Sequence, residues 1–251
     1  METVNVLWTG GLDSSYRIIE LSRLDIDIQP YYIYDHTRGS IKHELKAIKM
    51  ITDDVKKNKY TKARLLPLKI IYDNDIKEDA IITEAWKRMN QKYALGSQYD
   101  YLARFSKQHG LKLEVGLECS NRSKATVAVC KEAQLLLKTI GVEGYNVYYI
   151  DTEHSSKDIR LLFENMLFPA TMWHMSKLDE VKGFKDLGFE HSINKTWFCH
   201  RPIWGLPCGH CNPCKDCLNE GLAFRIPKLG YALGEIRRFY YGIKRRVNKL
   251  S

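Results

Sequence analysis

Val4-Asn5-Val6-Leu7-Trp8-Thr9-Gly10-Gly11-Leu12-Asp13-Ser14-Ser15-Tyr16-Arg17-Ile18-Ile19-Glu20-Leu21 is the stretch that decides the fold of this chain. Its first five residues form an apolar run that reads as a buried β-strand, and the residues from Tyr16 onward have helical spacing. Between them the chain turns through two glycines. Such a turn leaves several backbone N–H groups aimed at one spot, where glycine lets the backbone approach closely and the helix N-terminus carries partial positive charge. The hydroxyls of Thr9, Ser14 and Ser15 add donors, and Asp13 can hold a magnesium ion that neutralises phosphate oxygens. The turn suits a polyphosphate; the plainer reading of the same residues is a tight strand-to-helix turn with Asp13 or Ser14 as N-cap.

The string from Thr9 to Ser14 resembles the S-G-G-x-D-S signature of the PP-loop ATP pyrophosphatases, with threonine keeping the hydroxyl of the first serine. It is not a Walker loop, because no Gly-Lys-Ser/Thr follows. The resemblance implies that Trp8, Thr9, Gly10, Gly11, Leu12, Asp13, Ser14 and Ser15 bind ATP by the part that leaves as pyrophosphate. It also implies that Asp13 and Ser14 act in the transfer of AMP to a substrate oxygen.

Outward from this turn, apolar strands alternate with amphipathic helices. Gln29-Pro30-Tyr31-Tyr32-Ile33-Tyr34 reads as a strand, residues 41–55 as a helix, and Leu65-Leu66-Pro67-Leu68-Lys69-Ile70 as another strand. A helix over 96–108, a strand over 112–116, a helix over 124–139 and a strand over 146–150 continue the pattern. The alternation predicts an α/β fold, a doubly wound parallel sheet whose ligands bind beyond the C-terminal strand ends where strand order reverses. Residues 71–92, rich in charge and without a strong period, read as an insertion or flap.

With 251 residues, 44% of them hydrophobic, the chain can bury one sizeable core and one small appended module. No early stretch pairs a basic segment with an apolar one, and no apolar run approaches bilayer length, so a cytoplasmic location without a membrane span is the default expectation. The formal net charge of +9 argues for an acidic ligand or surface. Five of the seven cysteines fall between Cys199 and Cys217. That bunching is unlike a secreted disulfide framework and suits a metal site. Cys208, Cys211 and Cys214 give two overlapping C-x-x-C steps, and Cys199 returns as a fourth ligand for Zn2+; Cys217, His200 and His210 are competitors. With four sulfurs bound, no position stays open for water, and such a zinc is structural. Cys130 reads as a small core residue, and Cys119 as a packed strand-end residue or a reactive thiol.

The PP-loop followed by C-x8-C-x2-C-x2-C is similar to the 7-cyano-7-deazaguanine synthase family of the queuosine pathway. Residues 34–47, from Tyr34-Asp35-His36-Thr37-Arg38, resemble its D-Y-G-Q-R-H-x-x-E-L stretch, with one residue more. Ser176-Lys177-Leu178-Asp179-Glu180-Val181 resembles the segment whose lysine meets the phosphates, and Thr196-Trp197-Phe198-Cys199 resembles the entry to the zinc loop. The likeness covers most of residues 4–224. It implies an adenine-nucleotide-hydrolase-like (HUP) ATP-binding domain over 1–190 and a zinc module over 191–224; residues 225–251, past the likeness, are expected to form a basic helix. It further implies ATP and Mg2+ held with help from Arg38 and Lys177, Lys177 acting in catalysis, and a homodimer. The expected reaction is adenylation of a carboxylate, deazapurine-like in the family, followed by attack of ammonia or an amine. The family's P-G-R-N segment survives only as Leu95-Gly96-Ser97-Gln98-Tyr99, without its arginine. Its Y-P-D-C-R segment has no counterpart near Ser120-Asn121-Arg122-Ser123-Lys124. These departures point to a divergent paralogue with an altered substrate.

Beyond the likeness, Ile236, Tyr240, Ile243 and Val247 share one helical stripe, opposed by Arg237, Arg238, Lys244 and Arg245. The expectation is a helix docked on its own domain with a solvated basic face; RNA or another acidic surface is the alternative contact. Two other functions stay open here. One is PP-loop tRNA thiolation, which needs a reactive cysteine such as Cys119 or Cys130. The other is a non-catalytic zinc-stabilised nucleic-acid-binding protein.

Overall fold

The computed structural model describes residues 2–117 and 123–247, with side chains described through residue 241 and at Ile243. Cys119, read above as a packed strand-end residue or a reactive thiol, and residues 120–122, where the family's substrate segment has no counterpart, lie outside the described residues. Strand β1 (Thr3–Leu7) leads into helix α1 (Leu12–Leu21), strand β2 (Asp27–Tyr34) and helix α2 (Ile41–Lys57). Two short strands follow, β3 (Arg64–Leu65) and β4 (Lys69–Tyr72), then helices α3 (Ala80–Tyr93) and α4 (Gln98–His109). The chain continues through β5 (Leu113–Glu114), α5 (Lys124–Glu132), β6 (Leu135–Thr139), β7 (Asn146–Ile150), α6 (Lys157–Phe163) and β8 (Met166–Pro169). It ends in α7 (Lys177–Asp186), α8 (Asn212–Asn219) and α9 (Lys228–Val247).

The sheet is mostly parallel, in the order β3-β2-β1-β5-β8-β7-β6 with β4 also on β2, and helices cover both faces. Strand β2 shows how one sequence serves two layers. Its Ile28 and Tyr32 face a core shared with Ile18 of α1, Ile51 of α2 and Phe184 of α7. Tyr31 and Ile33 face the other, with Ile82 of α3, Phe105 of α4, Ala128 of α5 and Phe163 of α6. The alternation follows from the two-residue period of a strand.

Four expectations are corrected. The strand over 65–70 is two strands, because β3 pairs with Asp27 and Ile28 while β4 pairs with Tyr31 through Tyr34. The gap lies opposite Gln29 and Pro30, where proline has no N–H for a ladder bond; the Gln29 side chain bridges it by donating to Pro67 O at 2.9 Å. The expected flap over 71–92 is largely helix α3, opened by Asp79, whose carboxylate accepts from Ile81 and Ile82 N–H. The helix over 124–139 stops at Glu132 and becomes β6, which pairs antiparallel with β7. Since β7 also runs antiparallel to β8, β7 is the one strand among the described residues that opposes the others of the sheet. Finally, Cys130 is exposed on α5 rather than in the core.

A buried ion pair fixes the junction of the two halves. Arg17 of α1 donates from Nε to Glu114 Oε1 at 2.7 Å and from Nη2 to Oε2 at 2.9 Å. Both side chains are nearly inaccessible. The pair anchors α1 to β5, so the turn before α1 is held against the segment after β5.

Candidate functional site

A cleft of about 450 Å³ opens beyond the C-terminal ends of β1 and β5. From β1 the chain moves to β2 on one side, and only later returns to place β5 on the other, so strand order reverses here. Thr9, Gly11, Leu12, Asp13 and Ser14 form the cleft's floor, and Arg38 and Lys177 line it as well. Trp8, Gly10 and Ser15 sit beneath. The Trp8 indole is fully buried and donates to Ser15 Oγ at 3.0 Å.

Ser14 Oγ holds the turn closed by accepting from Thr9 N at 3.2 Å and lying 3.1 Å from Thr9 Oγ1. Gly10 has φ +72°, and its carbonyl accepts from Trp197 N–H at 2.8 Å. The N-cap of α1 is Gly11, so no side chain caps the helix, and the first-turn N–H groups of Leu12, Asp13 and Ser14 have no intrahelical acceptor. An anion in the cleft would meet them.

Across this floor lies the start of α7. A capping box between Ser176 and Asp179 sets its first turn, and Lys177 points Nζ at Asp13 Oδ1, 2.6 Å away. Burial works against a charge on Asp13, but the Lys177 ammonium outweighs it and holds the carboxyl below the usual carboxylate range. Two further residues belong here. Glu180 lies one turn along α7, its Oε1 3.3 Å from Lys177 Nζ. It is buried, its Oε2 has no hydrogen-bond partner among the described residues, and burial followed by the nearby Asp13 charge pushes its carboxyl well above the ordinary value. Arg225 lines the opposite wall, donating to Thr196 O at 3.0 Å with its guanidinium 4.6 Å from the Phe198 ring centre. The i, i+3 spacing from Lys177 is the sequence signal for Glu180. Arg225 closes a single 3-10 turn (Ala223–Arg225), too short to carry a periodic signal.

Arg38 reaches the cleft already engaged. Its Nη2 donates to Glu44 Oε1 at 2.6 Å, and buried Glu44 also accepts from Ser40 Oγ and Tyr32 OH. Arg38 therefore stands as a braced rim residue.

The cysteine segment forms the adjoining wall. The sulfurs of Cys199, Cys208, Cys211 and Cys214 all lie within 4.8 Å of one another. A tetrahedral zinc with Zn–S bonds of ~2.3 Å spaces its sulfurs ~3.8 Å apart. The separations of 4.0 Å for Cys208–Cys214, 3.9 Å for Cys199–Cys211 and 3.4 Å for Cys211–Cys214 match that spacing, so the four could hold a metal such as zinc. Local structure explains the convergence: Gly209, at φ +72°, turns the chain between Cys208 and Cys211, and Cys211 and Pro213 open α8, which carries Cys214. The competitors are used elsewhere. Cys217 Sγ donates to Leu222 O at 3.2 Å, and His210 Nε2 lies 3.1 Å from Tyr231 O. His200 lines the cleft.

The chain matches no protein-family model and no curated protein.

Proposed function

We propose that this chain is an ATP-splitting enzyme of the PP-loop kind, which adenylates a substrate carboxylate, releases pyrophosphate and leaves the acyl-adenylate open to ammonia or an amine. The observation that carries this reading is the 2.6 Å contact between Asp13 and Lys177. It joins two segments 164 residues apart, each resembling a PP-loop motif, at the uncapped start of α1. The 7-cyano-7-deazaguanine synthases are the family resembled, and the segments after α3 and β5 that depart from it support an acyl substrate of this chain's own.

In this reading the fold is the doubly wound HUP type, with the α1 N–H groups and Thr9 receiving the β- and γ-phosphates. Lys177 exchanges Asp13 for a phosphate oxygen, and Arg225 adds positive charge from the facing wall. Bound Mg2+ would neutralise phosphate oxygens, with Asp13 as its protein ligand. Catalysis is positioning and charge neutralisation, since no side chain needs to form a covalent bond. Four thiolates would fill the coordination sphere of zinc and leave no place for water, so its role is to shape the wall formed by Trp197, Phe198 and Arg225. Thiolation is the weaker reading: the cysteine lining the cleft among the described residues is Cys217, which is buried and bonded to Leu222 O.

The test is pyrophosphate release from ATP with 7-carboxy-7-deazaguanine, related deazapurine acids and ammonia. Asp13→Ala and Lys177→Met are each expected to lower the rate by about 100-fold or more. Unchanged turnover in both variants would overturn the assignment; salt-sensitive RNA binding without pyrophosphate release would replace it with a binding role.

A further inference from the structure

Helix α9 docks on the body by the wrong face for an amphipathic helix. A Cβ at Gly230 would stand 2.4 Å from Pro207 O, and one at Gly234 2.0 Å from Cys208 O, so these two glycines bring the helix backbone directly onto the cysteine loop. Tyr231 packs on His210, with ring centres 4.5 Å apart, and Arg237 Nη2 donates to Arg201 O at 2.7 Å. At 100° per residue these contacts lie on one side of the helix. The apolar stripe lies on the other. Leu229, Ile236, Phe239, Tyr240 and Ile243 all face solvent, with Ile236 67% and Phe239 73% exposed. This corrects the expectation that the apolar stripe would dock and the basic face would be solvated.

We infer that this stripe is a docking surface for an anionic lipid bilayer. Charge selects the occupant. Residues 228–247 contain six basic residues, Lys228, Arg237, Arg238, Lys244, Arg245 and Arg246, against the single acid Glu235. A second copy pairing stripe to stripe would bring two strongly cationic helices together. A nucleic acid would satisfy the arginines, yet it has no partner for the aliphatic side chains of Leu229, Ile236 and Ile243. A bilayer with anionic headgroups answers both, taking the stripe into the acyl boundary while the net positive charge of residues 228–247 draws the helix to the headgroups. The tyrosines suit that boundary, because their rings are apolar and their hydroxyls polar. Among the described residues no helix is long and apolar enough to cross a membrane, so α9 lies along the surface. The close glycine contacts would hold the rest of the chain rigidly beside it.

The test is co-sedimentation of the full chain with vesicles of phosphatidylcholine alone and of phosphatidylcholine with about one-third phosphatidylglycerol. Binding to the anionic vesicles, weakened by salt and by omission of phosphatidylglycerol, is expected. The double variant Ile236→Glu, Phe239→Glu is expected to lower partitioning about tenfold or more. It should melt at the wild-type temperature, because both side chains already face solvent. Failure of the wild-type chain to sediment with anionic vesicles would overturn the inference, as would sedimentation that the double variant leaves unchanged. A dimer that the double variant dissociates, with no vesicle binding, would assign the stripe to a second copy; RNA binding in place of vesicle binding would assign the helix to nucleic acid. Either result overturns the lipid assignment.

Discussion

Gly10 answers two separate constraints at the head of the cleft. Its φ of +72° is left-handed, and a Cβ would stand 2.7 Å from the carbonyl oxygen of Glu44 in α2, which cannot move without shifting the helix. Gly110 also has positive φ, +59°, but a Cβ there would meet nothing within 4 Å. The two positions separate backbone strain from collision. Gly110→Ala is expected to cost about 1–2 kcal/mol, the penalty of a left-handed residue alone. Gly10→Ala should cost about 2–4 kcal/mol and disturb the turn that carries Asp13, which denaturant melts of both variants measure. Equal losses would mean that α2 yields and the contact is unimportant. The need for glycine in the turn was legible in the sequence, because the motif spans one local segment. Glu180 was legible only as a residue one helical turn from Lys177; its burial and its proximity to Asp13 arise only when α7 packs across α1. The burial of Arg17 likewise depends on β5, a distant segment that supplies Glu114.

At the level of elements, the C-terminus of α5 shows what local pattern could not reveal. Apolar spacing runs on past residue 132, yet the helix ends there because Glu132 is held from outside. Tyr93 OH donates to Glu132 Oε1 at 2.6 Å, Lys92 of α3 pairs with the same oxygen, and Ser156 N–H donates to the Glu132 carbonyl at 2.8 Å. The hydrogen bonds from Lys92 and Tyr93 pull the Glu132 carboxyl down from 4.5 to about 2. Because the folded value lies below the unfolded one, the contribution is fully present above about pH 4.5 and is lost as pH falls toward about 2. Glu132→Gln removes the charge and therefore the pH dependence. The expected result is a variant less stable than wild type at pH 6, with the gap closing as urea melts are taken down to about pH 3. A gap that stays constant with pH would show that packing, and not the carboxylate, makes the contact. The same non-local logic explains β3 and β4, where the break is set by Pro30 in the neighbouring strand, and β7, whose reversed direction follows from pairing between β6 and β8.

On the scale of the whole molecule, the cysteine quartet belongs to the main core. Cys199, Cys208 and Cys214 are buried in the same apolar cluster as Trp8, Ile18 and Ile51, and Trp197, two residues before Cys199, is tied to Gly10. The C-x8-C-x2-C-x2-C spacing made the quartet legible, whereas its union with the first strand and helix depends on contacts across the chain. A metal held by the four thiolates would therefore stabilise the cleft as well as its own loop. Elemental analysis is expected to find one zinc per chain, kept in Cys217→Ser and lost in Cys208→Ser. Removing the metal with a chelator should lower Tm by about 10 °C or more, since binding to a site formed only on folding is coupled to folding free energy. Because one core is shared, the transition should move as a unit, and the protection by ATP against melting that the proposed function requires should fall in step with metal loss. Retention of metal by Cys208→Ser, or a melting curve that chelation leaves unmoved, would sink the quartet as a metal site. An early separate transition, with ATP protection intact, would instead show that the loop stands apart from the cleft it borders.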